Sequence, residues 1–266
     1  MVKVRDIYRF LDEFAPFSIQ EDFDNAGFLV GRDTQQVTRV LTALDITVPV
    51  ILEAEKIGAE LIVGHHPVIF HPLKAVTNAD PAAERVLLLA EKGIAAICAH
   101  TNLDAVAGGV NDCLAQVLGL TDIRQLAQAG EDGQGRAYGI GRIGTWAASA
   151  DTRTPEFAAI VKEKLQAPCV RYHDAGRPIR RVAVGGGSCG SLLRDALAAG
   201  CDSFVTADIK HDVFLDAAQL GINLLDAGHF STEDVVIKPL TRGLQEAFPA
   251  IDVRCSEVQK APCNAV

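Results

Sequence analysis

Three segments of this chain put metal-ligating side chains directly after short apolar runs. In LIVGHHPVIFHPLK the run ends at Val63, turns through Gly64 and sets His65 and His66 side by side ahead of Pro67. Consecutive side chains diverge, so one imidazole can take one cation while its neighbour faces a second. In AAICAHTNLDAVAGGVND a similar run leads into His100, Asn102 and Asp104. A carboxylate has two oxygens and can reach two cations while offsetting their repulsion, which suits Asp104 for a bridge. The plainer alternative is that Asp104 caps a helix opening near Gly109. His100 reads as a residue that orients a ligand. In INLLDAGHFSTEDVV the run ends at Asp226, with His229 next and Glu233 four residues beyond it. Ser231 and Asp234 have capping-box spacing, which would put Glu233 in the first turn of a final helix, where the dipole favours its charge. Mere decoration of a helix start is the alternative there.

Three imidazoles and two carboxylates form an N/O donor set suited to Zn²⁺, Mn²⁺ or Fe²⁺. No cysteine joins the set, which argues against a closed structural zinc site. An open coordination position admits water, whose pKa a metal lowers from about 15.7 to roughly 7, and hydrolysis is the chemistry that follows.

Such residues meet only if the elements before them end at one edge. Short β-branched runs alternate with longer segments of helical period, giving an α/β class. Strands are expected at Arg39–Leu44, Glu60–Val63, Ile94–Ala99, Arg181–Val184, Ser203–Thr206 and Asn223–Asp226. Helices are expected at Val4–Phe14, Pro49–Ile57, Pro81–Glu91, Gly109–Leu118, Thr154–Leu165, Ser191–Ala199, Val213–Gln219 and Glu233–Phe248. In open α/β sheets ligands bind beyond the carboxyl ends of the strands, where all three segments place their polar residues. From Gly119 to Ala150 the text turns Gly-rich and polar, so a boundary is set near residue 125. This gives a first domain over 1–125 with the His-His pair and Asp104, and a second over 126–266 whose stretch from about 220 returns to the metal site. GAELIVGHHP and GINLLDAGHF echo each other across the two halves, a hint of duplication.

Composition narrows the partners. A net charge of −9, with 25 Lys and Arg in no long run, disfavours a nucleic-acid backbone but not a small anion held at a metal. No segment approaches the roughly 18 to 20 apolar residues of a membrane span. The opening MVKVRDIYRFLDEF lacks the apolar stretch and cleavage site of a signal peptide. Seven scattered cysteines without Cys-x-x-Cys suit reduced thiols, so a cytoplasmic protein is expected.

GGGSCG at Gly185–Gly190 satisfies G-x-G-x-x-G between an expected strand and helix, with Asp208 about twenty residues on. That is the pattern of a dinucleotide unit, with the acid on the ribose. A tight turn explains it as well. A third reading has the amides around Gly185, Gly187 and Ser188 holding a substrate phosphate at a helix N-terminus, so that a bulky residue at Gly187 would weaken nucleotide binding and spare the metals. Asn25, Asp45, Lys210 and His211 complete the candidates for the pocket rim.

The segments GHHPVIFHPLK, HTNLDAVAGGVND and DAGHFSTE resemble the signature motifs of the Nif-three-like family, also called the GTP cyclohydrolase I type 2 family. DFDNAGFLVG, LTALDIT, GIGRIG, GGGSCGSLL and TADIKHD fall in the expected order between and around them. The resemblance implies two α/β domains with mixed sheets, a dinuclear metal site at their interface and a ring-shaped homohexamer. It places His65, His66, Asp104, His229 and Glu233 on the liganding positions, with Asp104 and Glu233 bridging. Longer members carry an inserted middle domain, for which this chain is too short; Phe23 stands where the family often has Trp. The implied reaction opens the guanine imidazole ring of GTP at C8 and releases formate. Asp45, His100 and His211 are the catalytic candidates, with an orienting or proton-transfer role for Asp45. A phosphoesterase-type hydrolase and a non-catalytic metal-binding ring, scaffolding or regulatory, are the rival functions.

Overall fold

The structure is a computed structural model that describes residues 1–148 and 151–265. The Gly-rich text expected to run to Ala150, and the expected domain end at Val266, therefore finish outside the described residues. The chain forms two compact α/β units, Met1–Leu103 with Ile237–Lys260, and Asp104–Val236 with Ala261–Val266. The first crossing thus lies between Leu103 and Asp104, earlier than the change of sequence texture near residue 125.

The first unit opens with α1 (Val4–Phe14), β1 (Gly27–Val30) and β2 (Arg39–Ala43). It continues through α2 (Val48–Ile57), β3 (Leu61–Gly64), α3 (Pro81–Glu91) and β4 (Ala95–Cys98). Helix α1 buries Val4, Ile7 and Leu11, the i, i+3, i+7 stripe of an amphipathic helix. Asp80 accepts from the amides of Ala82 and Ala83 and Pro81 fills the next position, so α3 starts where its sequence predicts. Strands β2, β3 and β4 are parallel and almost wholly buried, which is why they read as unbroken apolar runs. Their core includes Leu41, Ile51, Ile62, Leu89 and Cys98.

A one-turn helix α4 (Thr101–Ala105) leads on to α5 (Val110–Leu118). The second unit then makes four short strands, β5 (Thr121–Gln125), β6 (Gly130–Glu131), β7 (Ala137–Tyr138) and β8 (Arg142–Thr145). The Gly-rich text is therefore the turns of a small antiparallel excursion, which need glycine as a linker would. After α6 (Thr154–Lys164) and β9 (Arg171–His173) come β10 (Arg181–Val184), α7 (Leu193–Ala198) and β11 (Ser203–Thr206). The unit ends with α8 (His211–Leu220), β12 (Asn223–Asp226) and α9 (His229–Glu233). The chain re-enters the first unit as α10 (Ile237–Ala247) and β13 (Asp252–Cys255).

The two large sheets are mixed, and β6 pairs with β7 in a separate antiparallel ribbon. The first runs β1-β4-β3-β2-β13 with only β1 antiparallel to its neighbour. The second runs β5-β8-β10-β11-β12-β9, with β10, β11 and β12 parallel at the centre and antiparallel strands outside. Among the described residues no helix is long and apolar enough to cross a membrane.

The expected helix Glu233–Phe248 is broken. Pro239 has no N–H to give to the carbonyl four residues back, and its ring would strike that carbonyl. The segment accordingly splits into α9, a 3₁₀ turn at Asp234–Val236 and α10. Ser231 lies inside α9, whose N-cap is Gly228 with no side-chain cap, so the expected capping box is not formed. Glu233 sits at the carboxyl end of a five-residue turn, where the dipole gives its charge no help. Asp104 likewise lies within α4, and Gly109 is the cap of α5.

Candidate metal centre

In the first unit, Gly64 closes β3 where an added Cβ would come within 2.9 Å of Ile46 Cγ1. The following amides dock onto the end of β2: His65 N donates to Ala43 O and Leu44 O at 3.2 Å, and His66 N to Leu44 O at 3.0 Å. Each imidazole is then fixed by its Nδ1. His65 Nδ1 meets the Ala99 carbonyl at 2.7 Å, and His66 Nδ1 meets Asp45 Oδ1 at 2.8 Å. A carbonyl only accepts, so the His65 proton is on Nδ1 and the lone pair is on Nε2. His100 is held in the same manner, its Nδ1 at 2.7 Å from Asp24 Oδ1. One nitrogen from each of His65, His66 and His100 lies within 4.8 Å of the others.

Asp24 is a buried anchor. Thr101 N and Thr101 Oγ1 donate to its second oxygen at 3.0 and 2.5 Å. Burial pushes its carboxyl up, but the His100 and Thr101 hydrogen bonds and the His100 charge outweigh this and hold it at about 2, against an ordinary value of 3.8.

The second unit assembles the other three candidates. Asp208, at the end of β11, adopts φ 52°, a left-handed conformation uncommon outside glycine. Its Oδ2 accepts from His229 Nδ1 at 2.7 Å, while His229 Nε2 lies 2.9 Å from Glu233 Oε2, one turn on in α9. Glu233 is buried. Asp104 is placed through its backbone: its carbonyl accepts from Asn111 Nδ2 at 2.9 Å, and the next two carbonyls, Ala105 and Val106, accept from Arg142 Nη2. That guanidinium is itself buried, also donates to Gly139 O and Gly141 O, and pairs with Asp112. The GIGRIG motif is therefore a clamp on the segment that follows Asp104.

The Gly-rich turn serves the same residues. Gly187 has φ 64°, and a Cβ there would land on Glu233 Oε1 and lie 3.3 Å from His229 Cε1. The amides of Gly185, Gly186, Gly187 and Cys189 are committed to Val205 O, Asn111 Oδ1, Thr232 Oγ1 and Thr206 Oγ1. Of the donors expected for a phosphate, the amides of Gly185 and Gly187 thus bind the fold itself, and Asp208, expected on a ribose, holds an imidazole. Burial, then the Asp104 and Glu233 carboxylates, push the Cys189 thiol up, so it offers no thiolate.

Reasoning from sequence named His65, His66, Asp104, His229 and Glu233, and the structure gives each of the three histidines a fixed Nδ1 partner. Asp45, a rim candidate, turns out to orient His66. His211 opens α8 exposed, and among the described residues it joins no cluster of ligating side chains. Asn25 spends its amide on Ile69 O at 2.6 Å. Sequence reasoning missed Asp24, Asn111 and Arg142; Asp24 and Arg142 stood in the motifs DFDNAGFLVG and GIGRIG, but neither has ligand-like spacing.

Residues 2–262 match the sequence profile of a family described as Duf34/NIF3 (NGG1p interacting factor 3). A Streptomyces coelicolor protein named GTP cyclohydrolase 1 type 2 homolog is 37% identical over 237 residues, covering 88% of this chain and 82% of the relative. A Clostridium perfringens protein of the same name is 32% identical over 246 residues, 92% of each. Among solved structures, a hypothetical protein of Staphylococcus aureus matches with a TM-score of 0.92 at 32% identity, covering 99% of both chains. A Bacillus cereus protein related to NIF3 matches with a TM-score of 0.93 at 24% identity, over 100% of this chain and 99% of that one, a likeness of fold alone.

Proposed function

The chain belongs to the Duf34/NIF3 family, and on that premise we propose that it is a hydrolase dependent on two divalent ions held by His65, His66, Asp104, His229 and Glu233. In this reading Asp104 and Glu233 would hold the ions together with the three histidines, and the chain works in the cytoplasm as the homohexameric ring its family resemblance implies. The observation that carries the reading is the fixing of His65, His66 and His229 through Nδ1 by Ala99 O, Asp45 and Asp208. Metal-ligating histidines need this arrangement, because it sets the tautomer and the ring direction and raises the basicity of Nε2. The donor set fits Zn²⁺, Mn²⁺ or Fe²⁺ and leaves the choice to supply.

Bound there, two cations would lower the pKa of a water to roughly 7 and offset charge that develops on the substrate. The chain's own residues do the rest. Asp45 and Asp208 keep a proton at Nδ1 of their histidines, and Asp24 holds His100 beside His65 and His66, where it serves in proton transfer. The substrate proposed is GTP or a related purine nucleotide, after the name its relatives carry, with ring opening at C8 and release of formate.

A second reading is favoured by the family's description as an interacting factor: a metal-holding ring with a scaffolding or regulatory role and no turnover. Incubating metal-loaded protein with GTP and with simple phosphoesters separates the cases. Formate release supports the cyclohydrolase reading. Phosphate alone replaces it with a phosphoesterase, and neither product from protein holding two ions turns the reading to binding.

A further inference from the structure

Two phenylalanines in the first unit stand in solvent beside the imidazole cluster. Phe23 is 65% exposed and Phe70 38% exposed, and their rings meet edge to face with centroids 6.5 Å apart at 64°. Phe70 continues inward, 5.9 Å and 83° from His100, whose ring lies 5.2 Å from His65 and 5.5 Å from His66. An unbroken series of ring contacts thus leads from bulk water to the histidines.

The loops that carry these rings are held firmly. Phe23 precedes Asp24, whose amide closes a turn on Glu21 O at 2.9 Å and whose carboxylate is tied to His100 and Thr101. Phe70 follows Ile69, whose carbonyl accepts from Asn25 Nδ2, and the Asn25 amide returns to Asp24 Oδ1 at 2.7 Å. Both exposed rings are therefore anchored through one small hydrogen-bonded knot. Exposed aromatic rings fixed in place present a ready stacking surface, because little side-chain or loop entropy is lost when a ligand arrives.

We propose that Phe23 and Phe70 form the stacking platform that receives the planar heteroaromatic ring of a purine nucleotide and directs it to the imidazole cluster. The ring class follows from the surface: two aromatic rings at 64° offer a face and an edge to a flat π-system, and neither carries a charge or hydrogen-bond donor to recognise a sugar or phosphate. The choice of purine rests on the nucleotide reading above, while the platform itself rests on the ring geometry.

Titrating the metal-loaded full chain with guanosine, followed by proton NMR, tests it. Stacking on the phenyl rings moves the guanine H8 resonance upfield, and Phe23→Leu and Phe70→Leu each weaken guanosine binding about tenfold with metal content unchanged. Absence of any shift with the wild-type chain overturns the proposal. So does equal affinity of the leucine variants, or ribose 5-phosphate binding as well as guanosine. Variants that change the oligomeric state yet keep guanosine affinity overturn it in favour of a subunit contact. Metal content and formate release, measured on the same samples, report on the hydrolase reading separately.

Discussion

Asp45 and Asp208 each accept a hydrogen bond from Nδ1 of a histidine proposed as a ligand, so each would act on a metal through the ring it orients. Asp45→Ala and Asp208→Ala should weaken metal affinity roughly 10–100-fold, read by competition with a chelating dye. Unchanged affinity would mean that these contacts are incidental. Asp24 makes a prediction in pH. Its carboxyl is held at about 2 when folded and titrates near 3.8 when unfolded, so its contribution is complete above the unfolded value and is lost as pH falls through the folded one. Its side chain is fully buried, and the shift corresponds to about 2 kcal/mol. Urea unfolding of Asp24→Asn should show that deficit between pH 5 and 7, with the gap to wild type closing between pH 4 and 2; a constant gap contradicts the assignment. The candidate histidines were legible because residues of that type follow strand ends, whereas Asp24 was not. Nothing in DFDNAGFLVG says that its acid meets a histidine 76 residues away.

At the scale of elements, the parallel strands could be read to the residue at Arg181–Val184, Ser203–Thr206 and Asn223–Asp226, since burial on both faces leaves an uninterrupted apolar signal. The antiparallel strands β1, β5, β6, β7 and β9, and the parallel edge strand β13, are short and partly wet, and carry no such signal. Pro239 was visible in the chain, and its veto on one continuous final helix was the physical rule that should have prevailed. The GGGSCG turn reverses an expectation. If it held a phosphate, a side chain at Gly187 would spare the metals; the geometry instead sends the new Cβ onto the Glu233 carboxylate from a backbone at φ 64°. Gly187→Ala should therefore lower bound metal per chain by elemental analysis, while circular dichroism of the β-sheets stays near wild type. Full metal occupancy in that variant would restore the turn to a role in substrate binding.

The whole molecule is two α/β units, each with its own mixed sheet and core, joined by a chain that crosses out after Leu103 and back at Ile237. Each unit carries a set of candidate ligands: His65 and His66 in one, Asp104, His229 and Glu233 in the other. The set in the second unit places a buried carboxylate against one imidazole, and burial first, then the Asp104 and Glu233 carboxylates, push the nearby Cys189 thiol up; cations would relieve the negative charge that those two acids contribute. If cations complete both sets, removing them should cost stability as well as function: binding to the folded state alone contributes about 2.7 kcal/mol at a hundred times the dissociation constant, so prolonged chelation should lower Tm and re-addition of metal should restore it. The most direct measurement is the number of divalent ions per chain by elemental analysis, for the wild type and for His66→Ala combined with Glu233→Gln. Two ions per wild-type chain and a marked loss in the double variant are expected. A wild type without tightly bound metal, or a double variant that still holds two ions, would contradict it.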